Sequence, residues 1–274
     1  MNQNKVLEHS PLGSDTVYVN QYDASLLFPI KRDLKWGEKG VNRHELPFYG
    51  EDIWNGYEVS WLNPKGKPIA RIATFRIPAN SAAIIESKSF KLYLNSFNLS
   101  RFETEEQVIA CMQRDLSQAA GGEVTVEMTH LDALPNMSQF DGECIDDLDI
   151  DITAYQPTPE ILSVDEPLVE ESLYSHLLKS NCPVTGQPDW ASIQVTYKGS
   201  KIDRENLLRY LISYREHGDF HEQCVENIFM DIWAQCRPES LTVYARYVRR
   251  GGLDINPIRS SELKETLNLR LSRQ

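Results

Sequence analysis

The sequence predicts an α+β fold made of two tandem modules, each an antiparallel sheet with helices on one face. Segments with the two-residue period of strands alternate along the chain with segments of helical period. The same order of segments then occurs a second time, and short similar stretches recur at shared offsets. We place the first module at residues 1–150 and the second at residues 151–274.

The first module begins with 20 polar residues without a pattern, which we expect to be loosely held. The elements predicted after them are strands at 57–61 and 69–75 around a turn at 63–67, a helix at 88–97, a helix behind the capping-box pattern 104–107 that ends at Gly121, and a strand at 124–129. The second module contains a strand after residue 189, a helix capped by Asp203, a helix from His221 and a strand at 241–246.

Two offsets relate the modules to each other. Tyr93 aligns with Tyr210 at an offset of 117 (210 minus 93), whereas Trp54 aligns with Trp190 at an offset of 136 (190 minus 54). The difference of 19 (136 minus 117) predicts extra residues between strand and helix in the first module. We assign these extra residues to the second strand of a hairpin.

Composition excludes several classes of protein. Hydrophobic residues make up 41% and charged residues 25% of the 274 residues, which excludes disordered and fibrous chains. The formal net charge of -12 repels a phosphate backbone, so we expect no nucleic-acid partner. Apolar stretches are too short to cross a membrane, and the N-terminus lacks a signal-peptide pattern, so we expect a cytoplasmic protein without a membrane partner. Five cysteines without CxxC spacing argue against a disulfide framework or a zinc ribbon.

An acidic stretch connects the modules. Residues 141–151 contain six acids and resemble a calcium loop. The sixth loop position is Ile152 and the twelfth is Thr158, however, whereas an EF-hand needs glycine and glutamate there. We interpret the stretch as a solvated connector, with Cys144 as one of its residues.

Cys182 lies in a loop that is rich in turn formers and precedes a strand. Proline and glycine stiffen this loop, so the thiol is held in a fixed direction. Asp189 lies seven residues further on and can face the same site. In a dry pocket a carboxyl group stays protonated and donates, so the pair combines a nucleophile with a general acid. A purely structural loop is the alternative.

The helix start at His221–Glu222 also offers two interpretations. Glu222 suits the helix dipole, and as a carboxylate it can also accept two N–H bonds from a guanine-like ring. His217, His221 and Cys224 have the spacing of a zinc site on one helical face, although Gly218 interrupts that helix. A hydrolase built on Cys182, His221 and Asp189 is a further alternative.

Basic residues occur near the first predicted helix and after the last predicted strand. Lys88 and Lys91 open the helix, and the run Arg249–Arg250–Gly251–Gly252 follows the strand. Fork-shaped guanidinium groups on a flexible backbone suit phosphate, including the 2′-phosphate of NADP. No GxGxxG motif occurs, so a nicotinamide cofactor would bind outside a Rossmann domain.

Two motifs together resemble a known family. They are Glu86-Ser87-Lys88-Ser89-Phe90-Lys91-Leu92-Tyr93, and Cys182-Pro183-Val184-Thr185-Gly186-Gln187-Pro188-Asp189 followed by His221-Glu222 and Arg249-Arg250-Gly251-Gly252. From about residue 22 onwards, the chain is similar to the NADPH-dependent nitrile reductases of queuosine biosynthesis, the 7-cyano-7-deazaguanine reductases, in their long two-module form. No motif position departs from the pattern.

The resemblance implies a tunnelling fold and a homodimer, with sites where modules or subunits meet. It implies reduction of the nitrile of 7-cyano-7-deazaguanine to the aminomethyl base, with NADPH as cofactor and no metal. Cys182 would form a covalent thioimide, and Asp189 would donate the proton. The substrate contacts would be Ile85, Glu86, Ser87, His221 and Glu222, and the NADPH contacts would be Ser87, Lys88, Arg250 and Gly251. Zinc-dependent cyclohydrolase chemistry on the same fold and a purine-binding scaffold with an inert Cys182 are the remaining alternatives.

Overall fold

The computed structural model describes residues 17–133 and 135–274. Most of the N-terminal segment expected to be loose, residues 1–16, lies outside this range. The chain packs as two compact units, and neither is continuous in sequence. The first unit contains the chain up to Glu45, Glu51–Asn136 and Arg249–Asp254, and the second contains Leu46–Gly50, Met137–Val248 and Ile255–Gln274. The module boundary at residue 150 stays a prediction.

Strands and helices alternate along the described residues. The strands are β1 (Pro29–Lys31), β2 (Tyr49–Leu62), β3 (Pro68–Pro78), β4 (Ala83–Ile85), β5 (Thr125–Thr129), β6 (Glu143–Cys144), β7 (Val164–Asn181), β8 (Pro188–Ile202), β9 (Ser240–Tyr247) and β10 (Leu253–Ser260). The α-helices are α1 (Asp33–Trp36), α2 (Ser87–Ser96), α3 (Glu105–Ala120), α4 (Arg204–Ile212) and α5 (His221–Cys236). Short 3-10 helices occupy Ala24–Leu26, Gly37–Lys39, Leu131–Ala133, Pro159–Ile161 and Ser213–Glu216. The predicted α+β class is confirmed.

The first unit has an antiparallel sheet in the order β5-β3-β2. Its core is aromatic: the ring of Phe90 on α2 lies 4.8 Å from Trp54 on β2 and 5.0 Å from Phe75 on β3, measured between ring centroids. Such ring pairs add to the stability that burial of their apolar area gives. The buried hydroxyl of Tyr93 on α2 donates to Asp115 on α3 at 2.8 Å, which joins the two helices.

The structure confirms Thr104 as the cap of α3, whereas the reciprocal bond of the predicted capping box goes to Glu103, one residue before the cap. The Thr104 hydroxyl accepts from the Gln107 backbone N–H at 3.3 Å, and the Gln107 side chain accepts from the Glu103 backbone at 3.1 Å. These contacts satisfy N–H groups that have no partner inside the helix. At the other end, Gly121 takes the left-handed conformation (φ +65°) and donates to Ser117 at 2.9 Å. Glycine adopts this conformation without a steric penalty, so α3 ends here.

The second unit repeats this plan with additions. Its strand order is β10-β9-β8-β7-β6, in which β9-β8-β7 corresponds to β5-β3-β2 and β6 pairs with β7 in parallel. The Asp203 carboxylate accepts from the Asn206 backbone at 2.8 Å and so caps α4, as predicted. Tyr210 on α4 donates to Asp231 on α5 at 2.8 Å, which matches the helix contact of the first unit.

The structure corrects the explanation of the two offsets. Each unit has a complete hairpin, β2-β3 or β7-β8, so the second strand is not an insertion in the first unit. The offset of 136 instead pairs Trp54 on a first hairpin strand with Trp190 on a second hairpin strand. Sequence analysis missed β7 because most of its N-terminal half is exposed and carries charge. It also missed β10, which is buried along its whole length.

Candidate active site

Cys182 lies at the tip of the β7-β8 hairpin. Its backbone N–H donates to the Gln187 carbonyl at 2.8 Å, and its carbonyl accepts from the Gly186 N–H at 3.0 Å. These two bonds close the loop, and Gly186 adopts φ +68°, the left-handed conformation that tight turns need. The thiol is half-buried. The stiff loop predicted from the sequence therefore presents Cys182 from a defined position.

Asp189 and His221 are brought together by the hairpin and the start of α5. Asp189 is the second residue of β8 and lies opposite Ser180 in the ladder. Its side chain is buried, and its Oδ2 lies 3.4 Å from Nε2 of His221. A carboxyl group and an imidazole at this separation can share or exchange a proton with modest movement.

Tyr247, which the sequence analysis did not select, holds the His221 ring. The two rings are stacked with centroids 3.8 Å apart and planes 4° apart. Burial, followed by the charges near Cys224 and Asp189, raises the pKa of the Tyr247 hydroxyl far above its usual value. Burial and then the charge of Asp219 also raise the pKa of the Cys224 thiol. Tyr247 and Cys224 therefore stay protonated and neutral beside Asp189 and His221. Tyr247 ends β9, and the alternation of the predicted strand gave no sign of this contact.

Glu222 lies in the first turn of α5 and is buried. At the start of this helix, the Phe220 N–H donates to the Gln223 side chain at 3.3 Å. The proposed zinc triad is not assembled, because His217 lies before α5 and its Nε2 is 2.7 Å from Asp219. Among the described residues, His217, His221 and Cys224 do not bring three ligand atoms within reach of one ion.

In the first unit, Glu86 forms the cap of α2. Its two carboxylate oxygens accept from the backbone N–H groups of Lys88 at 2.6 Å and Ser89 at 2.8 Å. Burial raises the pKa of Glu86 above its usual value, and these two N–H donors offset part of the rise. Ile85 precedes it in β4, is buried and pairs with Pro29. Sequence analysis placed Glu86 before the helix without identifying it as the cap.

The turn at Arg249–Gly252 belongs to the same unit as the α2 start. Gly251 has φ +61°, and a Cβ built on it would lie 3.6 Å from Cδ of Lys91. The guanidinium carbon of Arg249 lies 4.4 Å from the ring centroid of Tyr57, so this side chain is held against the sheet. The half-buried Lys88 and Arg250 complete a basic group that has the chemistry to hold phosphate.

The predicted site residues therefore fall into two groups. The first unit contains Ile85, Glu86, Ser87, Lys88, Arg250 and Gly251, and the second unit contains Cys182, Asp189, His221 and Glu222. Across the residues that the structure describes, no helix has both the length and the apolar character that a membrane span requires.

Comparison with known proteins identifies the class of protein. A family model described as "Nitrile reductase, 7-cyano-7-deazaguanine-reductase N-term" matches residues 18–128, and one described as "QueF-like protein" matches residues 188–266. The solved structure "archaeosine synthase QueF-Like in the apo form" matches with a TM-score of 0.32 and 19% identity over 36% of this chain and 100% of that one.

Relatives cover almost the whole chain. The chain is 55% identical to a protein of Chromohalobacter salexigens over 99% of both chains, and 58% identical to one of Chromobacterium violaceum over 97% of both. A protein of Azoarcus sp. is 56% identical over 93% of this chain and 92% of its own length. Each is named "NADPH-dependent 7-cyano-7-deazaguanine reductase". These matches define an oxidoreductase. The chain belongs to the 7-cyano-7-deazaguanine reductase family.

Proposed function

We propose that the protein reduces the nitrile of 7-cyano-7-deazaguanine to the aminomethyl group of 7-aminomethyl-7-deazaguanine, with NADPH as the reductant, in queuosine biosynthesis. The names of relatives that are 55–58% identical supply the substrate and the cofactor. The contact between Asp189 and His221, next to the tip loop that carries Cys182, is the structural observation that supports this reaction most directly. We further propose that the protein acts as a cytoplasmic homodimer.

Cys182 carries the first step. Its sulfur would bond to the nitrile carbon while the S–H bond and one C–N π bond break. The nitrile nitrogen would take the proton of Asp189, and the proton released by the thiol would go to His221. The product is a thioimide, whose C=N carbon accepts hydride more readily than the nitrile carbon does. The half-buried position at the end of a closed loop keeps the sulfur in one direction, which lowers the entropic cost of reaching the attack geometry.

Asp189 supplies the proton to the nitrile nitrogen. Burial favours the protonated, donating form of a carboxyl group. After the transfer, the carboxylate has the His221 ring 3.4 Å away, and a protonated imidazole there stabilises the negative charge. The gain expected from one general acid is about 10²–10⁴-fold in rate.

Glu222 recognises the base in this proposal. Its buried carboxylate would accept adjacent N–H groups of the deazaguanine ring. His221 contacts the same base. Ile85, Glu86 and Ser87 are predicted to contact it from the first unit.

The chain's basic group fits a dinucleotide phosphate. Ser87, Lys88, Arg250 and Gly251 would hold NADPH, with the Lys91 side chain packed beside Gly251. When bound, NADPH supplies hydride, and two equivalents are needed to convert nitrile into amine. Departure of the Cys182 thiolate after the first reduction leaves the enzyme's nucleophile free again.

Mass spectrometry of the protein mixed with the cyano base alone tests the proposal. We expect a mass increase equal to that of the base, because thiol addition loses no atoms, and no increase in Cys182→Ala. Addition of NADPH to the wild type should then consume cofactor and yield the amine. Cofactor consumption by Cys182→Ala would contradict the covalent route. Wild-type protein that binds the base without consuming NADPH would favour the purine-binding scaffold.

A further inference from the structure

A cluster of possible metal ligands lies in the second unit, on the acidic connector and strand β7. The short strand β6 pairs in parallel with β7, so that Cys144 lies beside Tyr174. The Ile145 N–H donates to the Tyr174 carbonyl at 3.0 Å and fixes this register. Cys144 is exposed, and its position is set by backbone bonds.

His176 lies two residues beyond Tyr174, on the same face of β7. A bulge occurs here, because Ser175 pairs with Ile193 and Leu178 pairs with Ala191. Two residues of β7, His176 and Leu177, therefore lie opposite a single residue of β8, Ser192. Bulges of this kind re-aim a side chain and are common near functional sites.

One nitrogen of the His176 ring is already engaged. Its Nδ1 lies 2.7 Å from the Ser192 hydroxyl, which in turn accepts from Arg273 at 2.8 Å. Metal-binding histidines use one ring nitrogen for the ion and the other for a hydrogen bond that fixes the ring. In His176 this leaves Nε2 for an ion.

Asp146 is the third member of the cluster. Its carboxylate accepts from the Ser175 hydroxyl at 2.6 Å and from the His176 backbone N–H at 3.0 Å. A carboxylate has about four lone-pair sites, so it can bind an ion while keeping both of these bonds. The bonds also orient the group, as is usual for carboxylates that bind metals.

We propose that Cys144, Asp146 and His176 form a Zn²⁺ site, separate in sequence and in residues from the reductase machinery. One possible ligand atom from each residue lies within 4.8 Å of the other two. Ligand atoms around tetrahedral zinc lie about 3.3–3.8 Å apart, so small side-chain movements assemble the site. A thiolate, an imidazole and a carboxylate together suit zinc, whereas Ca²⁺ and Mg²⁺ prefer oxygen ligands alone.

The fourth coordination position faces solvent or a neighbouring cavity. A cavity of about 380 Å³ is lined by Tyr174, His176 and Phe140, among others. Three protein ligands with one open position are typical of zinc that binds water or a small ligand. The bound ion would also fasten the connector to β7, because two of its ligands lie on one segment and the third on the other.

Metal titration of the full-length protein tests this site. We expect Zn²⁺ to compete against a chromophoric chelator with one equivalent bound per chain, and to raise the thermal midpoint. Co²⁺ in place of Zn²⁺ should give the ultraviolet charge-transfer band of a thiolate ligand and the visible bands of a tetrahedral ion. Cys144→Ser and His176→Gln should each lose this spectrum and weaken Zn²⁺ binding by more than about tenfold.

Two further variants separate this site from other thiols and acids. Cys182→Ala should bind Zn²⁺ like the wild type, and so should Asp147→Asn, which alters the exposed acid next to the cluster. The proposal is overturned if Zn²⁺ or the cobalt thiolate band is lost in Cys182→Ala but retained in Cys144→Ser. It is equally overturned if the wild type binds no zinc. Both results leave the proposed reductase function untouched, since that function is tested by the covalent adduct.

Discussion

The two units place their functional motifs at different helix starts. In the first unit, α2 begins at the motif Glu86–Lys88 and α3 begins at an ordinary capping box around Thr104. In the second unit this is reversed: α4 begins at an ordinary cap, Asp203, and α5 begins at the motif His221–Glu222. In our proposal, each unit uses one helix start for stability alone and the other for binding.

The adapted helix starts differ in what the glutamate does. The Glu86 carboxylate accepts hydrogen bonds from the backbone of its own helix. Glu222, in contrast, is the second residue of α5, and the Phe220 N–H before this helix donates to the Gln223 side chain. Phe220 occupies the position that corresponds to Thr104 (220 minus 104 is 116, as is 223 minus 107), and it has no hydroxyl to accept a bond. Loss of such a cap costs about 1 kcal/mol. The α5 start lacks this hydroxyl cap at the place where we propose that Glu222 and His221 bind the base.

The largest effect should come from Asp189. Asp189→Asn preserves the volume of the buried side chain but cannot donate a carboxylic proton, so turnover should fall about 10²–10⁴-fold. Stopped-flow measurement of NADPH consumption checks this, with Asp165→Asn, an exposed acid on β7, as the control. Turnover close to the wild-type rate would show that the proton comes from another group.

Glu222 tests whether the adapted start of α5 binds the base. Glu222→Gln replaces one acceptor oxygen by a donor, so the base should bind about 10–100-fold more weakly, as expected for lost hydrogen bonds to a charged group. Calorimetric titration in a Cys182→Ala background measures this without the covalent step. Glu205→Gln is the matched control, because Glu205 lies in the first turn of α4 and is exposed. If the two variants bound the base equally well, the start of α5 would have no special role in binding it.

Arg250 tests the basic group of the first unit. Arg250→Ala should raise the KM for NADPH by about tenfold, the value of one charged hydrogen bond, and leave the affinity for the base unchanged. Initial rates at varied NADPH give the KM. Arg101→Ala, whose guanidinium bonds to the Pro64 carbonyl in the same unit, is the control. If only the affinity for the base changed, Arg250 would contact the base and not NADPH.

Glu86 should give the smallest effect, and one that depends on pH. Its pKa is raised in the folded protein, mainly by burial, so the unfolded chain releases this proton first as pH rises above 4.5. The free energy of unfolding therefore falls as pH rises through the folded pKa, and Glu86→Gln should flatten that fall. Urea unfolding at several pH values checks this. Thr104→Ala removes a cap that does not titrate, so its loss of about 1 kcal/mol should be the same at each pH.

Local signals in the sequence were sufficient for the helices and for the reactive loop. The cap Thr104, the terminator Gly121 and the turn residues around Cys182 act on residues a few positions away, and the structure confirms all three. The same applies to the helix start at His221. Such features depend on hydrogen bonds and allowed dihedral angles that neighbouring residues determine.

Contacts between segments that are distant in the chain could not be predicted from the sequence patterns. The stack of Tyr247 on His221 joins the end of β9 to the start of α5, and Cys144 meets His176 across 32 positions (176 minus 144). Strand β10 was missed because Pro257 lies in its middle, and proline argues against a central strand. Asp254 accepts from Tyr57 at 2.6 Å, and a single sequence contains no record of such a partner.

Because Ser180 pairs with Asp189, the number of residues in the Cys182 loop determines to which side of the sheet the Asp189 side chain points. Successive strand residues point to opposite sides of a sheet, so a shift of the pairing by one position turns every side chain of the shifted strand over. A variant with one residue added to or removed from the tip keeps the Cys182 thiol, yet it risks directing the Asp189 carboxyl group towards the wrong side. Engineers who wish to alter what this enzyme accepts should therefore exchange residues in the tip and leave its length unchanged.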